Sequence, residues 1–130
     1  MITKFQRINL EKLLKFLKSL PADYDKLDMS MWAENDEEAA YATPENPCRS
    51  RASLVCYGPS AGIPLPKRSF YKDGSANWSE YASKAFPSKD GDFLFGSSLS
   101  TSVPERIARI EMVLAGNVPD DWDDWDDWDD

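Results

Sequence analysis

Histidine is absent from this chain of 130 residues, and no other gap in its composition removes as much chemistry. Imidazole is the usual proton carrier near neutral pH and the commonest ligand for zinc and iron. Ser-His-Asp triads, Cys-His dyads and HExxH zinc sites therefore cannot be drawn. Cysteine is scarce as well: Cys48 and Cys56 are too few for a disulfide scaffold, and a spacing of eight positions is not that of a zinc site. They read as reduced thiols, with a single bridge left open. No apolar run approaches the ~18–20 residues that span a bilayer, and no signal-type apolar segment follows Met1. The expected location is the cytoplasm, with no membrane partner.

What is present is concentrated at one end. The chain carries 23 acidic and 15 basic side chains, and eight of those acids are the aspartates of the final segment DDWDDWDDWDD. Residues 1–119 are thus formally neutral. Asp120, Asp121, Trp122, Asp123, Asp124, Trp125, Asp126, Asp127, Trp128, Asp129 and Asp130 hold the whole net charge of -8 and three of the five tryptophans.

Four segments carry helical patterning. Over residues 2–20, Leu10, Leu13, Leu14, Leu17 and Leu20 recur at three- and four-residue spacing, with Lys12, Lys15 and Lys18 on other faces and Pro21 as the stop. Thr3 with Gln6, or Asn9 alone, caps the start. A short helix is expected from about Glu34 to Ala42, opened by Asn35 or Asp36. Trp78, Tyr81, Ala82, Ala85 and Phe86 form a third stripe stopped by Pro87. Ser102-Val103-Pro104-Glu105 has the capping-box pattern for a helix over 103–115, with Ile107, Ile110, Val113 and Leu114 on one face and Gly116-Asn117 at its end. Between these lie Ala52 to Tyr57, short enough for a strand or a buried turn, a break at Gly58-Pro59, and a proline-rich stretch to Pro66 that reads as an ordered loop. Phe93-Leu94-Phe95-Gly96 is expected in the core.

Charge alternates along this framework. Residues 23–45 hold eight acids against Lys26, whereas residues 46–72 hold Arg49, Arg51, Lys67, Arg68 and Lys72 with no acid. Mutual balancing inside the fold is the simplest role for both. The cations lack the glycine cradle of a phosphate loop, and the tail lacks the glycine turn and oxygen spacing of an EF-hand. No cofactor and no metal are implied.

The order of LxxLP over 17–21, Asp28-Met29-Ser30-Met31-Trp32, Gly58-Pro59-Ser60-Ala61-Gly62-Ile63-Pro64, Trp78-Ser79-Glu80-Tyr81-Ala82 and Phe93-Leu94-Phe95-Gly96-Ser97-Ser98 resembles an uncharacterised family of small bacterial and phage proteins. Cys48 fits that family's first cysteine, while Ser53 stands where a second would fall and Cys56-Tyr57 replaces a Gly-His pair. The resemblance implies a small, mostly helical protein of phage or mobile-element origin and carries no activity.

The expectation is a mainly α fold. One small domain over 1–119 would hold about four helices, proline-rich ordered loops and room for short β elements, followed over 120–130 by an acidic Asp/Trp tail that is disordered on its own. The tail's aspartates resemble a phosphate backbone and its indoles resemble stacked bases, so a groove built for single-stranded nucleic acid is the matching partner surface. The expected function is non-enzymatic: a protein-binding accessory or inhibitor whose tail engages a basic, nucleic-acid-handling protein, with no direct binding of nucleic acid. Two other readings are a structural or assembly subunit with a solubilising tail, and a small enzyme using carboxylates with Arg49, Arg51, Lys67 and Arg68.

Overall fold

A capping box opens the first helix. Thr3 Oγ1 accepts from the Gln6 N–H and Gln6 Oε1 accepts from the Thr3 N–H, both at 3.1 Å, so two of the helix's orphan donors are satisfied reciprocally. The computed structural model describes residues 2–21, 23–27, 32–66, 69–73, 75–87, 94 and 103–117. Among these, α1 runs Lys4–Lys18, α2 Asp36–Ala40, α3 Trp78–Ala85 and α4 Val103–Ala115. Two 3₁₀ turns, Val55–Tyr57 and Pro59–Ala61, sit between α2 and α3. The protein is mainly α-helical, with four α-helices described.

The stripe on α1 meets the core as its spacing dictates. Leu10, Leu13 and Leu17 are fully buried, and Leu14 and Leu20 are half-buried at the edge. Full burial of a leucine is worth at most about 1.5–3 kcal/mol. Trp78, Tyr81, Ala85 and Phe86 from α3 and Val103, Ile110 and Val113 from α4 belong to the same cluster of buried residues. Tyr81 stands edge-on to both Trp78 and Phe86, with centroids 5.8 and 6.1 Å apart, the arrangement that aromatic quadrupoles favour.

Several local expectations need correction. Asn9 does not cap α1; it is buried, and its Nδ2 donates to the Ala85 carbonyl at 2.9 Å. Gly58 does not break the chain's course: its backbone is right-handed helical (φ -53°, ψ -51°) and links the two 3₁₀ turns. The cap of α3 is Asn77, whose Oδ1 accepts from the Glu80 N–H at 3.1 Å. On α4 the buried face is Val103, Arg106, Arg109, Ile110 and Val113, while Ile107 and Leu114 are half-buried. Arg106 Nη1 donates to the Leu94 carbonyl at 3.1 Å, which draws the buried Leu94 over the helix and turns the arginine inward.

The short β elements reduce, among the described residues, to isolated bridges. Ala52 bridges Leu27 in parallel and Ala33 antiparallel, and Phe70 bridges Ala76. Residues 51–53 are thereby held between two neighbours: Ala52 N–H donates to the Lys26 carbonyl at 2.9 Å, Ser53 N–H to Trp32 at 2.7 Å, and Glu34 N–H to Arg51 at 2.8 Å. That pairing brings the acidic residues of α2 against 48–51. Asn35 caps α2 by accepting from the Glu38 N–H at 3.0 Å. Asp36 then joins α2 to α3, taking the Ala76 N–H at 3.0 Å and the Trp78 indole N–H at 2.6 Å.

Candidate functional site

Residues Asp120 to Asp130, expected to bind a partner, lie outside the described residues, as do Lys67, Arg68, Met29, Met31, Ser102, Phe93 and Phe95. Before them, the chain is described as far as Asn117. Helix α4 closes on Gly116, which is left-handed at φ 73°, a backbone state that costs glycine little and other residues more. Gly116 N–H donates to Val113 at 3.1 Å and Asn117 N–H to Met112 at 2.9 Å, the paired bonds of a Schellman closure. The Leu114 carbonyl, otherwise an orphan of the last turn, accepts from Arg7 Nη1 at 3.2 Å. The chain therefore leaves α4 beside α1.

The outward side of α1 carries Lys4, Arg7, Ile8, Glu11, Lys12, Lys15 and Lys18, all exposed. Lys18 pairs with Glu111 at 3.2 Å, with both side chains about half exposed (54% and 52%), so water screens the pair to roughly 0–1 kcal/mol. Lys12 Nζ donates to the Gly62 carbonyl at 3.3 Å. Gly62 is left-handed (φ 95°) and turns the proline-rich loop back alongside α1.

That turn creates an apolar groove of about 210 Å³. It is lined by Phe5, Ile63, Pro64, Pro66, Tyr81, Lys84 and Ala85. Tyr81 fixes the loop by donating its hydroxyl proton to the Ile63 carbonyl. Phe5 is 62% exposed, an unusual position for a phenyl ring beside a concave surface.

A second, polar pocket of about 380 Å³ is lined by Glu37, Glu38, Tyr41, Ala42, Asn46, Pro47 and Arg49. Glu38 Oε1 accepts from the Arg49 N–H at 2.7 Å and Oε2 from the Ser50 hydroxyl at 2.8 Å. These bonds, led by that of the Arg49 amide, hold its carboxyl below the usual glutamate range. Such a carboxylate is a weaker base than an ordinary one, suited to holding a loop. Glu34 Oε2 likewise accepts from the Arg51 N–H at 3.3 Å. The acidic and basic segments thus meet through backbone N–H groups at 49 and 51, contacts that charge counting does not foresee. Tyr41, which also lines this pocket, stacks on Phe70, with centroids 5.4 Å apart and planes at 18°.

Both thiols are buried and free. Cys48 Sγ lies 3.8 Å from the Ser50 carbonyl, and Ser53 Oγ donates to Cys56 Sγ at 3.5 Å. Burial raises the Cys48 thiol and pushes Cys56 up to about 12, so neither offers a thiolate for nucleophilic work near neutral pH. Among the described residues, no group of three or more acidic or cysteine side chains could hold a metal ion. Nor is any helix among them long and apolar enough to cross a membrane.

No family model matches this chain, nor does any curated protein or any solved structure.

Two polar features had no sequence signal. Tyr57 donates its hydroxyl to the Ser50 carbonyl at 2.7 Å and lies 2.9 Å from the Tyr24 hydroxyl, and desolvation raises both phenols. Arg106 and Arg109 are buried in α4, Arg109 Nε donating to Glu105 at 3.1 Å one turn away. Charged residues at helical spacing ordinarily read as surface.

Proposed function

We propose that the protein is a non-enzymatic accessory or inhibitor of phage or mobile-element type, whose residues 120–130 engage a basic, nucleic-acid-handling protein. One observation carries the reading: eight aspartates and three tryptophans at constant spacing follow a body that is otherwise charge-neutral. A solubilising tail needs the charge but not the indoles, each of which presents a large apolar surface that gains by burial. A groove for single-stranded nucleic acid supplies both complements, cations for the aspartates and aromatic platforms for the indoles.

Capture from a host lysate tests it with the full chain and with a Trp122→Ala/Trp125→Ala/Trp128→Ala variant. The expected result is a partner retained by the first and lost by the second. The captured protein should release a labelled single-stranded oligonucleotide when the intact chain is added, less so at high salt. A partner held equally by both chains would place binding in the body and favour the assembly-subunit reading.

A further inference from the structure

We infer that the polar pocket beside α2 binds a small zwitterion of the α-amino acid class. Glu37 takes the ligand's ammonium, Arg49 its carboxylate, and Tyr41 an aromatic side chain. This site is separate from residues 120–130, and its occupancy does not depend on the partner proposed for them.

Charge comes first. Glu37 and Arg49 are exposed, carry opposite signs and line the same pocket, yet among the described residues no ion pair joins them to each other or to a third side chain. Glu38 does not take up the Arg49 guanidinium. Its two oxygens accept from the Arg49 N–H and the Ser50 hydroxyl; the N–H leads in lowering its carboxyl, and the guanidinium charge is the weakest contributor. A carboxylate and a guanidinium held apart on one concave surface match a ligand that bears both charges. A singly charged ligand would meet one like charge there, which selects against it.

The walls of the pocket are also fixed before any ligand arrives. Thr43 N–H donates to the Asn46 carbonyl at 3.2 Å and Asn46 N–H to the Thr43 carbonyl at 3.1 Å, which closes the turn between them. Thr43 Oγ1 accepts from the same Asn46 N–H at 3.1 Å. Beyond the turn, Cys48 N–H is anchored on the buried Ser60 hydroxyl at 2.8 Å, and Glu38 secures Arg49 and Ser50 from α2. A segment tied at so many points loses little conformational freedom on binding, so less of the contact energy is spent on ordering it.

Size and the apolar lining narrow the class further. At about 380 Å³ the pocket falls at the lower end of the ~300–1,000 Å³ of small-molecule sites. Tyr41 is 65% exposed although its ring stacks on Phe70, and with Pro47 it gives the pocket an apolar portion beside the two charges. An aromatic side chain on the ligand gains an offset or edge-on contact with that phenol ring.

Fluorine NMR of 4-fluoro-L-phenylalanine, titrated with the intact chain, provides the test. Two analogues each lack one charge: 4-fluorophenethylamine has no carboxylate and 3-(4-fluorophenyl)propionate no ammonium. The amino acid should bind saturably and about tenfold or more tighter than either analogue, the worth of one charge-assisted contact. Arg49→Gln should weaken the amino acid and the propionate about tenfold and leave the amine no weaker, whereas Glu37→Gln should weaken the amino acid and the amine and spare the propionate. Arg49→Gln keeps the backbone N–H on which Glu38 relies, and Glu37 is exposed, so both variants should retain the parent's circular dichroism. Tyr41→Ala should weaken all three probes. No saturable binding of the amino acid up to about 10 mM would overturn the inference, as would equal affinity for the three probes. Charge variants that shift the three affinities alike, or leave them unaltered, would overturn it too. The comparison of probes on the unaltered chain decides the matter even where a variant fails to fold, and no outcome bears on whether a basic partner binds the tail.

Discussion

Asn9, near the middle of α1, donates its side-chain amide to the carbonyl of Ala85, the last residue of α3, at 2.9 Å in a buried setting. Gln6, one turn earlier, donates to the next carbonyl, Phe86, at 3.3 Å. The final carbonyls of a helix have no partner within it, so α1 supplies from the side what a glycine cap supplies elsewhere. Asn9→Ala removes the donor and leaves the Ala85 carbonyl buried without it, at a cost of about 1–3 kcal/mol. Urea denaturation should show a lower midpoint with an unchanged m-value. Asn9→Leu should recover little, since its apolar bulk cannot satisfy the carbonyl.

Gly58 and Tyr81 form a second coupled pair. A Cβ on Gly58 would collide with the Tyr81 hydroxyl and come within 3.0 Å of its ring, although the backbone there is one that any residue adopts. The restriction is therefore contact with a neighbour, not dihedral strain. Gly58→Ala should cost about 1–3 kcal/mol, the usual range for overpacking. Tyr81→Phe deletes both the nearest obstructing atom and the bond to Ile63. The double variant should thus be more stable than the sum of the two losses, and a double-mutant cycle of thermal unfolding measures the difference.

The helices were legible because their stripes are apolar and regular. Leu10, Leu13 and Leu17 announce α1, Trp78, Tyr81 and Ala85 announce α3, and α4 ends where Gly116-Asn117 places it. Slots of those same stripes filled by polar residues were not legible. Asn9 reads as a cap, and Arg106 and Arg109 fall outside the expected apolar face of α4, because periodicity treats polarity as exposure and is blind to a carbonyl waiting on another element. Residues 52–57 were ambiguous for a different reason, a run too short to show any period. For the candidate site, the tail was evident from composition alone. The groove was not, since Phe5, the Ile63–Pro66 loop and Lys84 that line it lie far apart in the sequence.

Glu38 predicts a pH response at the acid end. Its carboxyl is held low mainly by the Arg49 N–H, with the Ser50 hydroxyl second. For a group whose folded value is depressed, the stabilisation is present above the unfolded value, near 4.3, and is lost as pH falls through the folded one. Glu38→Ala should be less stable than the parent at pH 7, and the difference should shrink as pH falls through the carboxyl's lowered folded value. Guanidinium midpoints measured from pH 7 to 3 check this, and two parallel curves would remove Glu38 as the cause.

At the alkaline end the buried acids act in the opposite sense. Desolvation pushes Cys56 up to about 12, against the slight help that Ser53 gives the thiolate, and it also raises Tyr57 and Tyr81. A raised acid stabilises the fold fully below its unfolded value, and that share is lost as pH climbs toward the folded value. For Cys56 the loss starts near pH 8.5, and for the tyrosines near pH 10. Each group contributes at most about 1.4 kcal/mol per pH unit inside its window. Stability should accordingly fall from about pH 8.5 upward, and Cys56→Ala, whatever its packing cost, should fall less steeply between pH 9 and 10. Thiol labelling gives the independent reading. At pH 8 both cysteines should react with an aromatic disulfide reagent only as fast as the protein opens, and denaturant should release that rate. Prompt reaction of Cys56 in a protein that keeps its near-ultraviolet circular dichroism would contradict the burial from which the pH response follows.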